Sequence, residues 1–225
     1  MFSIKESAMS PLGYIRGLYY ERRKRKTHKQ LKALSLSKVS QWVDSRLPIR
    51  MEIGAGEEPN NHGWFTLDRN SFCDLYWDLI DGMPFPDSTV TAIYASHVLE
   101  HIPVEGLPVL LRECYRSLKP GGSISICVPN ARLYIEAYLN GRRFLDKTSP
   151  QCWQPGWHET GSLIDQVNYI AFMGGEHKFM FDEENLLSLL RQAGFEGASL
   201  RSFDQELDRA DRDFESIYAI GFKPM

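Results

Sequence analysis

The sequence has few cysteines, no long apolar run and little net charge of either sign. Its four cysteines (Cys73, Cys114, Cys127 and Cys152) show neither a CxxC pair nor a metal-ligand spacing. That argues against a disulfide framework or a zinc module, so reduced thiols and no bound metal are expected. No apolar stretch approaches the ~18 residues of a membrane span. The N-terminal MFSIKESAMSPLGYIRG lacks a charged region followed by an apolar one, so no secretory signal is read and a cytoplasmic location is expected. What is present, 43% hydrophobic and 24% charged residues in a chain of 225, excludes disorder throughout and fits one domain with one sizeable core, or one domain carrying an insertion.

The net charge of −3 conceals an asymmetry. Residues 1–40 carry ten Lys/Arg and two Glu, a balance of +8, leaving −11 for the rest. Most of the positive charge falls in Glu21-Arg-Arg-Lys-Arg-Lys-Thr-His-Lys-Gln-Leu-Lys32. Residues 21–32 could meet an anionic membrane surface or an acidic partner. They could equally be a solvated helix face, or an arm lying on the acidic body of the same protein. Residues 1–45 are read as a basic helical extension and 46–225 as the principal domain.

From Ile49 onward, short apolar runs alternate with turn residues. Arg50–Ile53, Trp64–Leu67, Leu75–Trp77, Thr91–Ala95 and Ser123–Val128 read as strands. Val104, Leu107, Leu110, Leu111, Tyr115 and Leu118 recur at helical spacing, with Lys119-Pro-Gly-Gly122 expected to stop that helix in a turn. Asp182 with Asn185 three residues on predicts an N-cap, and Ala198–Phe203 and Ser216–Phe222 predict a last strand pair joined by the charged loop Asp204–Asp213. The expected fold is α/β and Rossmann-like. It has a mostly parallel seven-stranded sheet, helices on both faces and an antiparallel C-terminal strand pair. Only seven residues separate Gly56 from Trp64, too few for a full crossover helix, so a reduced turn is expected there, with the N-terminal helix covering the bared face.

In an open parallel sheet, ligands bind beyond the carboxyl ends of the strands. Here three successive strand ends carry Glu52/Gly54/Gly56, Asp68 and Asp78. Glycines permit a tight turn and close backbone approach. An acid at the second strand end can accept both hydroxyls of a ribose, and a third acid suits an adenine amino group. In Met51-Glu-Ile-Gly-Ala-Gly-Glu-Glu-Pro59, Gly63-Trp-Phe-Thr-Leu-Asp68, Met83-Pro-Phe-Pro-Asp-Ser88, Tyr94-Ala-Ser-His-Val-Leu-Glu-His101 and Leu118-Lys-Pro-Gly-Gly122, the chain resembles the class I S-adenosylmethionine-dependent methyltransferases, in particular the small methyltransferases of the type 11 kind. The resemblance is good over residues 49–130 and looser in the C-terminal third. It departs at Glu58, where the family motif has its third glycine.

The resemblance implies S-adenosylmethionine as cofactor and S-adenosylhomocysteine as product. It places the cofactor on Glu52, Gly54, Ala55, Gly56, Asp68, Arg69, Asp78, Leu79, Ser96 and His97. Gly54 and Gly56 would face the methionine moiety, Asp68 the ribose, and Asp78 with the Leu79 backbone the adenine. A nicotinamide-binding domain is the competitor, but it needs a helix N-terminus under a pyrophosphate, and Pro59 stands where that helix would open.

Methyl transfer to oxygen or nitrogen requires alignment of donor and acceptor and removal of a proton, for which histidine is the usual base. His97 and His177 are the catalytic candidates, each balanced against a histidine that merely holds a loop. Residues 131–181 form a long connection with Tyr134, Tyr138, Phe144, Trp153, Trp157, Tyr169 and Phe172 beside Arg132, Arg142, Arg143 and His158. This stretch is read either as a substrate lid for a small-molecule or glycan-type acceptor, or as a satellite core. Methylation at oxygen is expected, with no DNA partner. A non-catalytic scaffold of the same fold, or an RNA or protein methyltransferase using the basic N-terminus, remains the alternative.

Overall fold

The computed structural model describes residues 11–57, 63–144 and 160–225, with side chains from residue 26 onward. Seven strands form one sheet in the order β3-β2-β1-β4-β5-β7-β6. β1 (Arg50–Ile53), β2 (Phe65–Asp68), β3 (Leu75–Tyr76), β4 (Val90–Ser96) and β5 (Leu118–Pro129) are mutually parallel. β7 (Ser216–Phe222) runs antiparallel to both β5 and β6 (Glu196–Leu200). This is the α/β, mostly parallel sheet with an antiparallel C-terminal pair that the alternation of elements predicted. The strand order reverses between β1 and β4, so the carboxyl ends of those two strands bound a crevice.

The central strands read as nearly continuous apolar runs because both sheet faces are covered. Met51, Ile53, Leu67, Ile93, Ile124 and Ile126 are fully buried in the main core. Helix α2 (Leu107–Ser117) buries Leu107, Leu110, Leu111 and Cys114 against it, and α5 (Glu183–Gln192) buries Leu186 and Leu190. The expected cap on α5 is a full capping box: Asp182 accepts from the Asn185 N–H, and Asn185 accepts from the Asp182 N–H. Such a cap stabilises a helix by about 1 kcal/mol.

Helix α1 (Pro11–Ser45) packs its second half on the β2–β3 side. Val39 is buried, and Trp42 stacks on Phe65 with ring centroids 3.9 Å apart. The Ser35 hydroxyl donates to the Tyr76 carbonyl and accepts from the Tyr76 N–H, which satisfies the backbone of an edge strand. Lys32 pairs with Asp81 and lies over the Trp77 ring, so part of the basic stretch 21–32 is neutralised by the chain's own domain. The side chains of residues 21–25 lie outside those described, as do Glu58 and Pro59 in the first crossover.

Helix α2 ends at Ser117, ahead of Lys119-Pro-Gly-Gly122, as expected; what is corrected is the start of the next strand, because these four residues are part of β5. The register passes from Val90↔Leu118 to Ala92↔Ser123, so these residues bulge within the ladder. Gly121 takes φ +75°, and its N–H donates to the Lys223 carbonyl at 2.9 Å, tying the bulge to the end of the chain. Local residue types announced a break in direction; only pairing with β4 and the residues after β7 made that break a strand.

Candidate active site

The glycine turn after β1 is built by its neighbours. The Gly54 N–H donates to the Leu67 carbonyl at 2.8 Å, and the Gly56 N–H donates to Asp68 Oδ2 at 2.7 Å. The Ala55 N–H also reaches the Leu67 carbonyl, at 3.3 Å. Gly54 and Gly56 have φ +64° and +68°, the left-handed region that glycine enters at least cost. Their surroundings differ. A Cβ on Gly54 would stand 2.4 Å from Val98 Cγ2, whereas a Cβ on Gly56 would meet nothing within 4 Å. Gly54 is therefore needed for packing, and Gly56 leaves open space over the turn.

Asp68, at the end of β2, holds the Gly56 and Arg69 N–H groups, one on each carboxylate oxygen, which fixes the carboxylate beside the turn. Arg69 Nη1 reaches Asp78 Oδ2 at 3.2 Å, and Asp78 Oδ1 accepts from the Ile80 N–H at the start of the turn Leu79–Asp81. Asp78 is thus already engaged on both oxygens, an arrangement its spacing in the sequence did not reveal.

A cavity of about 170 Å³ lies at the switch point, lined by Glu52, Gly54, Ala55, Gly56, Ser96, His97, Arg209 and Arg212. Six of these residues were singled out in the sequence. Arg209 and Arg212 were not, because they sit in the loop before β7, more than 110 residues from Ser96 in the chain. Their only sequence signal was a pair of arginines near the start of the last strand. The structure brings them over the cleft by a buried anchor. Arg201 makes a two-pronged ion pair with the fully buried Asp208, which also accepts from the Tyr94 hydroxyl at 3.0 Å and the Asp204 N–H at 2.8 Å. Arg212 Nη1 then donates to the Ser96 carbonyl at 3.3 Å.

His97 follows β4 at φ +53° with its N–H donated to the Cys127 carbonyl. The Ser216 hydroxyl donates to the Arg212 carbonyl, so it accepts from His97 Nε2–H at 2.9 Å. The remaining His97 nitrogen, Nδ1, lies 3.7 Å from Glu100 Oε1. Burial holds the His97 ring neutral, its pKa lowered to about 3, and Arg212 adds to that direction. His177 is buried too, with Nδ1–H donated to the Ile170 carbonyl at 2.8 Å, and burial lowers its pKa. The two candidate histidines converge on the buried Glu100, whose pKa burial raises to about 8. The sequence did not single out Glu100.

The aromatic stretch 131–181 divides. Tyr134, Phe144 and Tyr169 form a second small core with Ala131 and Ile170, between α3 (Ala131–Leu139) and α4 (Ile164–Phe172). Tyr138 and Phe172 are exposed, and Trp153, Trp157 and His158 lie outside the described residues. The three described cysteines are unbridged, and burial pushes their thiols up to about 11–12, which keeps them protonated.

Residues 26–200 match the methyltransferase domain family, more than three quarters of the chain. The chain belongs to that family. Among solved structures it is similar to an S-adenosylmethionine-dependent methyltransferase from Archaeoglobus fulgidus. That likeness has 18% identity, covers 92% of this chain and 99% of the other, and has a TM-score of 0.49. It is also similar to the Haemonchus contortus phosphoethanolamine N-methyltransferase 2 in complex with S-adenosyl-L-methionine, at 12% identity over 79% of this chain and 49% of that one, with a TM-score of 0.46. A Methanosarcina mazei methyltransferase aligns at 16% identity over 81% and 97% of the two chains, with a TM-score of 0.46. No curated protein matches the chain. The methyltransferase uses S-adenosylmethionine as its methyl donor. Among its described residues, no helix is long and apolar enough to cross a membrane.

The residues of the cleft fit that donor. Gly56 leaves space for a ligand to lie against the turn, and the Ser96 hydroxyl is buried in the cleft wall with no protein partner in hydrogen-bonding geometry among the described residues. When bound, S-adenosylmethionine supplies an electrophilic methyl group on a positively charged sulfur.

Proposed function

We propose that this methyltransferase modifies a hydroxyl oxygen of a small-molecule or glycan-type acceptor. We propose further that Glu52, Gly54, Ala55, Gly56, Asp68, Arg69, Asp78, Leu79, Ser96 and His97 form its cofactor site. The observation that carries the cofactor half is the lining of the switch-point cavity. Glu52, Arg209 and Arg212 all line it, a combination of charges suited to the ammonium and carboxylate of a methionine group. Asp68 keeps lone pairs beyond those given to Gly56 and Arg69, enough to accept from two ribose hydroxyls. Arg69 and Asp78, already paired, would frame the adenine edge together.

The acceptor half rests on the polar patch past β4. His97 is a positioning residue: its Nε2–H is held by Ser216, and its low pKa suits it poorly to take a proton near neutrality. His177, with Nδ1 committed to Ile170, keeps Nε2 as the acceptor-side nitrogen. Removal of the acceptor's proton is assigned to the patch that His177 shares with Glu100 and His101. Residues 131–181 are proposed as the lid over it and 1–45 as an extension, with 46–225 as the catalytic domain. The exposed Tyr138 and Phe172 offer aromatic faces suited to a sugar or other ring.

The test is calorimetric titration with S-adenosylhomocysteine, with NADH as the control. Micromolar binding of the first alone is expected. Asp68→Ala should weaken it by about 1.5–3 kcal/mol, the scale of hydrogen bonds to a charged group. Unchanged affinity in that variant would remove Asp68 from the site.

A further inference from the structure

We propose that Glu100, His101 and His177 form a binding site for a divalent transition-metal cation on the acceptor side of the cleft. The three side chains come from two distant places in the chain, the Leu99–His101 turn after β4 and the segment leading into α5. They bring one ligand atom each to within 4.8 Å of one another. Two imidazoles and a carboxylate are a donor set that zinc, manganese, iron and cobalt accept.

Each ligand is arranged to offer a lone pair. His177 Nδ1–H is donated to the Ile170 carbonyl and His101 Nδ1–H to the Glu176 carbonyl at 3.2 Å, which leaves both Nε2 atoms bare. A backbone carbonyl behind each imidazole is how metal-ligating histidines are commonly oriented. His101 Nε2 faces Glu100 Oε1 at 3.8 Å, and the two imidazole rings stand edge to face, 5.1 Å between centroids.

Glu100 supplies the second, independent observation. Its side chain is 2% exposed, yet neither carboxylate oxygen meets a donor in hydrogen-bonding geometry among the described residues. A buried carboxyl without a donor is costly. Around it stand the His97 Nδ1 and His101 Nε2 lone pairs, at 3.7 and 3.8 Å. The Arg212 guanidinium acts on the carboxylate through space, yet it meets neither oxygen, and the gathered lone pairs leave a place for a cation or a proton between them. A cation bonded at about 2.1 Å to tetrahedrally placed ligands holds them about 3.4 Å apart. The cluster would therefore contract by roughly 1 Å, within reach of side-chain rotation. His101, 38% exposed, leaves one side open, so a water or an acceptor hydroxyl can complete the coordination.

The chemical role of the site rests on the acceptor reading above. A hydroxyl bound to the cation loses its proton to water more readily. Its oxygen then forms the C–O bond as the methyl C–S bond breaks, and the donor leaves as a neutral thioether.

The test uses the full chain, treated with a chelator, desalted and titrated with Co²⁺, with visible absorption and calorimetry as readouts. One equivalent should bind, with the absorption bands of a nitrogen- and oxygen-ligated ion. His101→Ala and Glu100→Gln should each weaken binding at least about tenfold. Because His101 is partly exposed, its variant should melt like the parent without metal, and it decides the matter if Glu100→Gln does not fold. No binding up to millimolar Co²⁺ means that a proton alone serves Glu100 and overturns the proposal. Binding unaltered in His101→Ala overturns it as well. A parallel titration with S-adenosylhomocysteine separates the two readings: cofactor binding without Co²⁺ binding defeats only this one.

Discussion

Gly54 and Gly56 share a backbone conformation but not an environment, and this makes their alanine variants a matched experiment. Both sit near φ +65°, where a non-glycine residue costs about 1–2 kcal/mol. Gly56→Ala pays only that, since its new methyl meets nothing within 4 Å. Gly54→Ala also drives a methyl to 2.4 and 2.7 Å from the two Val98 methyl carbons. Val98 is buried in the main core and cannot swing into solvent. Overpacking of that kind adds about 1–3 kcal/mol, so Gly54→Ala should lose about 2–5 kcal/mol in all. Urea unfolding of the two variants should reproduce that order. The double variant Gly54→Ala/Val98→Ala should recover part of the Gly54 loss relative to the sum of the singles, because the clash and the valine are the same interaction. Cofactor affinity should invert the ranking. The open space over Gly56 is where the donor is proposed to lie, so Gly56→Ala should weaken S-adenosylhomocysteine out of proportion to its small stability cost. Equal stabilities, or no coupling between positions 54 and 98, would refute the packing argument. Unchanged affinity in Gly56→Ala would refute the placement of the ligand.

Two further outcomes follow from buried charge. Asp208→Ala leaves the Arg201 guanidinium, 15% exposed, without its carboxylate and should cost about 3–5 kcal/mol in urea unfolding. Because Asp208 anchors the loop carrying Arg209 and Arg212, cofactor affinity should fall with it, and a stable variant with full affinity would dismiss the anchor. Glu215, half-buried and hydrogen-bonded by the Tyr134 hydroxyl, has its pKa raised above the ordinary 4.5, with loss of solvent the main cause. The folded state therefore holds its proton to higher pH than the unfolded state does. The resulting stability is complete below about pH 4.5 and is lost as pH rises through the folded pKa. Glu215→Gln should flatten that part of the stability–pH curve; a curve of unchanged slope would locate the proton elsewhere.

Much of the frame was legible in the residues because local chemistry dictated it. The apolar run of β1 ends at Gly54 since the chain must turn there. Asp182 and Asn185 cap α5 because each satisfies the other's N–H, and Asp68 closes β2 beside the glycine turn. The order of acids at three strand ends pointed to the crevice at the switch point, since a parallel sheet gathers its carboxyl ends on one side. Tertiary structure alone decided what depends on pairing between distant segments. Lys119–Gly122 became strand through β4 and Lys223. Arg209 and Arg212 reached the cleft through the buried Arg201–Asp208 pair, and Asp78 was engaged by Arg69. Glu100 and His101 met His177 across more than 70 residues because the chain after α4 returns to the turn that follows β4, where the Lys178 N–H bonds the Glu100 carbonyl at 2.7 Å. Periodicity and capping act over a few residues and can be read along the chain. Burial, charge pairing and ligand convergence arise only when the sheet brings remote residues into contact.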